Sequence, residues 1–127
     1  MINNYPLTNI YEKPLSSSKL SSQMIYGEKF SIITKKKDWL KIKTSFDNYI
    51  GYIKNKKFFN NLKSNYKVAK LKSKIYKKVN NQFKPTKKFL YFASRIKAHK
   101  FNKYFTEYEK NKWIKKSDIK KIEHYEK

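Results

Sequence analysis

Groups able to carry catalysis are few in this sequence and poorly spaced for it. Cysteine is absent, which removes a thiolate nucleophile, a thiolate zinc site and any disulfide framework together. The two histidines, His99 and His124, stand a whole strand region apart among lysines, so neither a metal pair nor a general base is expected of them. His99 reads as a strand residue on a basic face and His124 as a solvated tail residue. Ser16, Ser17, Ser18, Ser21 and Ser22 fall in one polar loop, with none of the strained elbow geometry that exposes a catalytic serine. Glu107 and Glu109 alternate on one strand face around Tyr108, a spacing that suits pairing with surface lysines better than acid and base work. The chain on its own is therefore expected to be no enzyme, to need no cofactor and to bind no metal.

The elements that would position any site are short strands. Ile10-Tyr11 runs into Glu12-Lys13-Pro14 and the serine loop. Gln23 to Tyr26 ends at Gly27-Glu28, Phe30 to Ile33 ends at three lysines and Asp38, Trp39-Leu40-Lys41-Ile42 alternates, and Tyr49-Ile50-Gly51-Tyr52-Ile53 closes the set. Short alternating runs punctuated by Gly, Pro, Asn and Ser predict a small all-β barrel. Trp39, Ile42, Ile50 and Ile53 are expected to face its core.

A second, weaker copy follows. Met24 to Phe30 aligns with Leu90 to Ile96, and the same offset sets Trp39 against Phe105. With small gaps Ile10-Tyr11 pairs with Ile75-Tyr76, and Tyr52-Ile53-Lys54 with Trp113-Ile114-Lys115. Barrels of about sixty residues lie near the lower limit for independent stability without a staple. The expected division is residues 1–58, a linker at 59–65, and residues 66–127. Phe58-Phe59 are expected to pack between the two barrels, and helix is expected only in short turns such as residues 117–122.

The order strand, Glu12-Lys13-Pro14, Tyr26-Gly27-Glu28 turn, Trp39-led strand and Tyr49-Ile50-Gly51-Tyr52 strand resembles the bacterial SH3-like domain found beside cell-wall hydrolases. With Val68-Ala69-Lys70-Leu71 opening the second copy, the chain is similar to the paired SH3-like region that precedes the catalytic domain of NlpC-type cysteine peptidases. The resemblance implies two tandem small SH3-like β-barrels, and hydrolysis carried by a downstream cysteine-histidine domain. It implies a peptidoglycan-derived peptide or that peptidase domain as partner, and a contact surface beside the Glu12-Lys13-Pro14 loop. Tyr11, Glu12, Tyr26 and Tyr49 are the candidate ligand-binding residues. The tyrosines offer a flat apolar face with a hydroxyl, and Glu12 either meets a free ammonium or pairs at the surface with Lys13 or Lys19. The second copy, lacking a Glu-x-Pro element at residues 77–82, is expected to be chiefly structural.

Charge supports a competing reading. Lys and Arg number 32 against nine Asp and Glu, a formal net charge of +23, so a stand-alone basic domain for nucleic acid or another polyanion is the alternative. Only Arg95 among the basic residues is arginine, the side chain best suited to bidentate phosphate contacts. The excess of Lys, Asn, Ile, Tyr and Phe follows AT-rich codons, and the lysines are spread over loops and outward positions. No hydrophobic leader or bilayer-length apolar run is visible, which predicts a cytoplasmic chain with no membrane partner. Nothing in the sequence fixes an oligomeric state.

Overall fold

The computed structural model of the 127-residue chain describes residues 1–123, so His124 lies outside the described residues. The fold is all-β: among the described residues the one helical element is a 3-10 turn at Lys116–Asp118. The chain divides into two compact units, Met1–Asn61 and Leu62–Lys127.

In the first unit, strands β1 (Leu7–Tyr11), β2 (Leu20–Ile25), β3 (Phe30–Lys36), β4 (Trp39–Thr44) and β5 (Ile50–Lys54) form an antiparallel sheet ordered β2-β1-β5-β4-β3. Side chains alternate across a strand, and one parity of each contributes to a core of Ile10, Met24, Phe30, Leu40, Ile42, Ile53 and Phe58. Burying each of these side chains contributes roughly 1.5–3 kcal/mol. Phe58 makes edge-to-face contacts with Tyr5 and Phe30 at 5.5 and 5.1 Å, so it fills the first unit's own core. Phe59 closes a bridge to Ile2 through paired backbone bonds of 2.8 and 3.2 Å. The turn after β2 needs a left-handed residue, which Gly27 supplies with φ of 89°.

The second unit contains β6 (Tyr66–Val68), β7 (Lys72–Val79), β8 (Gln82–Tyr91), β9 (Arg95–Ile96), β10 (Lys100–Phe101), β11 (Phe105–Glu109), β12 (Lys112–Lys115) and β13 (Ile119–Lys121). Its larger sheet runs β10-β11-β12-β7-β8. Read from β8, that is the first unit's order, second-first-fifth-fourth-third, once the short β9 is set aside in its own sheet with β6 and β13. The registers coincide as well: Tyr11 faces Tyr52, and Tyr76 faces Trp113. Trp39 faces Lys54, and Phe105 faces Lys115. Around the turn, Asn3 N–H donates to the Glu28 carbonyl and Gly27 N–H to that of Asn3. Val68 N–H and Ala93 N–H repeat the pattern toward Ser94 and Val68.

Three expectations are corrected. Residues 117–122 hold the 3-10 turn and strand β13 instead of one helical turn. His99 is an exposed loop residue just before β10, with Nε2 3.6 Å from a Glu107 carboxylate oxygen. Trp39 and Ile50 face outward. Ile42 and Ile53 each lie three residues from them, and a separation of three puts two strand residues on opposite faces. Trp39 is half-buried against the edge of Tyr11 at 5.6 Å, so Trp39→Ala should cost only about 1–2 kcal/mol, an edge-to-face pair plus partial burial. A chemical melt of the variant checks this, since a core residue would cost about 3–5 kcal/mol.

Candidate functional site

The loop after β1 brings the Glu12 side chain to the surface. Glu12 N–H donates to the Lys19 carbonyl at 3.1 Å, and Ser18 Oγ accepts from Lys13 N–H at 3.0 Å. Ser18 thus helps to hold the loop in shape. Glu12 itself is exposed, and neither Lys13 nor Lys19 pairs with it; among the described residues its carboxylate has no cation within 4.0 Å. It is available to a ligand ammonium.

The four candidates do not form one surface. Tyr11 lies on the outer face of the sheet, opposite Tyr52 and against Trp39, and with Lys54 and Lys56 it lines a cavity of about 190 Å³. Tyr49 packs at the edge of the inner face against the core, its N–H donating to Thr44 Oγ1 at 2.9 Å. Gly51 lies between them: a Cβ built there would be 3.2 Å from the Tyr11 carbonyl oxygen and 3.5 Å from the Tyr49 ring. Tyr26 is only 1 % exposed. It is a core side chain and leaves the contact surface, because a buried ring has no face to offer a ligand. Trp39 and Tyr52 join Tyr11 instead. Strand parity was the signal for them: Tyr52 shares a face with Ile50, and Trp39 with Lys41.

The turn below carries Glu28, whose carboxylate accepts the Ile25 N–H at 3.2 Å. Burial, as the main cause, and the neighbouring Asp47 raise its pKa above the ordinary 4.5, while the Ile25 bond pulls the other way. The folded state therefore holds this proton more tightly than the unfolded chain, and that contribution to stability is lost as pH rises from about 4.5 through the raised value. Glu28→Gln should flatten the dependence of the melting temperature on pH in that window. Melts across it check the sign.

In the second unit Glu107 and Glu109 are separated by a bulge and do not share a regular face. Glu107 is buried, accepting the Asn111 N–H at 2.8 Å with Lys100 Nζ at 3.7 Å, while Glu109 pairs with Lys112 at 3.1 Å. Among the described residues no group of three His, Cys, Asp or Glu is arranged to hold a metal ion, and no helix is long and apolar enough to cross a membrane.

Residues 10–58 match the family described as the bacterial dipeptidyl-peptidase Sh3 domain. The segment that carries the Glu12 loop, Trp39 and Tyr49 is thus similar to that domain, and its fold is SH3-like. A crystal structure of an NlpC/P60 family protein from Bacillus cereus ATCC 10987 shares the fold with a TM-score of 0.71 and 13 % identity, over 95 % of this chain and 55 % of that one. The chain spans little more than half of that neighbour's length. No protein among those with curated function matches the sequence.

Proposed function

We propose that this chain is a non-catalytic module that recognises or positions a peptidoglycan-derived peptide for an NlpC-type catalytic domain, and that its second unit is a divergent copy of the first SH3-like barrel. The observation that carries the reading is the exposed, cation-free Glu12 carboxylate within the segment that matches a dipeptidyl-peptidase SH3 domain. A dipeptidyl peptidase must measure two residues from a free amino terminus, and a carboxylate at the rim of an accessory domain is the group to hold that ammonium. Tyr11, the next residue along the chain, with Trp39 and Tyr52 on the same outer face, supplies flat faces for the peptide stem, while Tyr49, packed against the core, supports the strand. The chain's lack of a thiol leaves bond cleavage to the partner domain.

The test is a titration with a fluorescent stem peptide carrying a free amino terminus. Glu12→Gln should weaken binding roughly 10- to 100-fold, the range of a charge-assisted hydrogen bond, and acetylating the peptide should weaken binding to the parent equally. Equal affinity of both peptides for the parent would overturn the reading.

A further inference from the structure

We propose that the outer face of the β7–β8 hairpin in the second unit is a binding surface for single-stranded nucleic acid, independent of the peptide site in the first unit. From Asn48 to Thr106 the chain contains no Asp or Glu, and it places Lys72, Lys74, Lys77, Lys78, Lys84, Lys87 and Lys88 on this one hairpin. None of these lysines is in an ion pair among the described residues. The turn residues Asn80 and Asn81 both have positive φ, 49° and 63°, as the tightest hairpin turns require.

The register turns charge into a pattern. Lys72 lies opposite Tyr91, Lys74 opposite Phe89 and Lys78 opposite Phe83, with Tyr76 opposite Pro85 between them. Lysines and rings therefore share the same outer face, successive positions on that face of β7 lying about 7 Å apart. Lys74 Nζ lies 4.8 Å from the Phe89 ring centre, and Lys78 Nζ 5.7 Å from that of Phe83. Phe83 in turn stacks on Phe105 at 4.2 Å and 16°, which fixes the platform. The carboxylate in register on this face, Glu107, is already taken by Asn111 and Lys100.

Cations answer phosphates, and half-buried rings answer bases whose faces are free. A duplex keeps its bases stacked, and a polyphosphate has none, so the sharing of one face by rings and lysines selects the single strand. Lysine in place of arginine gives point charges without bidentate base contacts, so little dependence on base sequence is expected.

Fluorescence anisotropy with a labelled oligothymidylate, the same length of duplex DNA as competitor, and inorganic polyphosphate matched in charge as a second competitor tests this on the full chain. Neutralising three phosphates makes affinity fall about 20-fold between 50 and 200 mM salt. Lys74→Gln with Lys78→Gln should lower affinity about tenfold and reduce the salt slope by one to two. Phe89→Leu, folded by circular dichroism, should lower it at least fivefold, the loss of one stacked base. Lys35→Gln with Lys37→Gln, in the first unit, should change little. Polyphosphate or duplex competing as well as a single strand would overturn the proposal without recourse to any variant. So would a loss in the first-unit pair equal to that in the hairpin pair.

Discussion

Asn3→Leu is expected to cost the first unit about 3–5 kcal/mol, enough to unfold a barrel of this size at ordinary temperatures. The Asn3 side chain is fully buried. Its amide nitrogen donates to the carbonyls of Tyr5, Met24 and Ile25 at 3.0 to 3.2 Å, and its oxygen accepts from Tyr5 N–H and Thr8 Oγ1 at 3.3 and 2.7 Å. Leucine fills the same space but strands several buried donors and acceptors, each worth about 1–3 kcal/mol when left unpaired. The second unit supplies the control within the same molecule. Val68 occupies the equivalent place with the same backbone bonds, so an apolar side chain is compatible with the backbone there, and the penalty in the first unit comes from the orphaned polar groups. Urea melts of the parent and Asn3→Leu measure it; a loss below about 1 kcal/mol, less than one unpaired buried group, would mean that water replaces the network.

Gly51→Ala is the second large effect, about 3 kcal/mol, at the upper end for a single added carbon in a packed core. The new Cβ would fall on the Ile10 side-chain methyl and press on the Tyr11 carbonyl oxygen at 3.2 Å. Ile10 is itself almost wholly buried and part of the core, so it has nowhere to swing without displacing Met24 or Ile53. Strand β5 would have to move away from β1, parting the Tyr11–Tyr52 pair. A melt reads the loss of stability, and faster amide hydrogen exchange along β1 and β5 would report the parted strands. A Gly51→Ala variant as stable as the parent would show that β1 and β5 slide freely.

The all-β strand pattern was legible because its signals are local. Pairing Ile10-Tyr11 with Ile75-Tyr76, and Tyr52 with Trp113, needs only alternation and turn residues, and the registers Tyr11 to Tyr52 and Tyr76 to Trp113 agree with it. The left-handed turn recurs too, with Ala93 at φ 73° where the first unit has Gly27. The exposed Glu12 loop was also legible, from Pro14 and the serines that close it.

The candidate tyrosines were a different matter. Sequence parity groups Trp39 with Lys41, and Ile50 with Tyr52, but it does not say which group meets the core; that is decided when β4 and β5 lie against β1 and β3 and the layer beneath is filled. Tyr26 shows the same limit, since a turn residue that could cover a peptide instead closes the interior. So strand periodicity, turn chemistry and the absence of a thiol belong to the chain by itself, being set by neighbours a few residues apart. Which aromatic is core and which is surface, and the burial of Asn3 among three carbonyls, were settled only by tertiary structure, because each depends on contacts between segments distant in sequence; the line of lysines and rings across β7 and β8 waited on the hairpin register, which the irregularity between Lys74 and Tyr76 shifts.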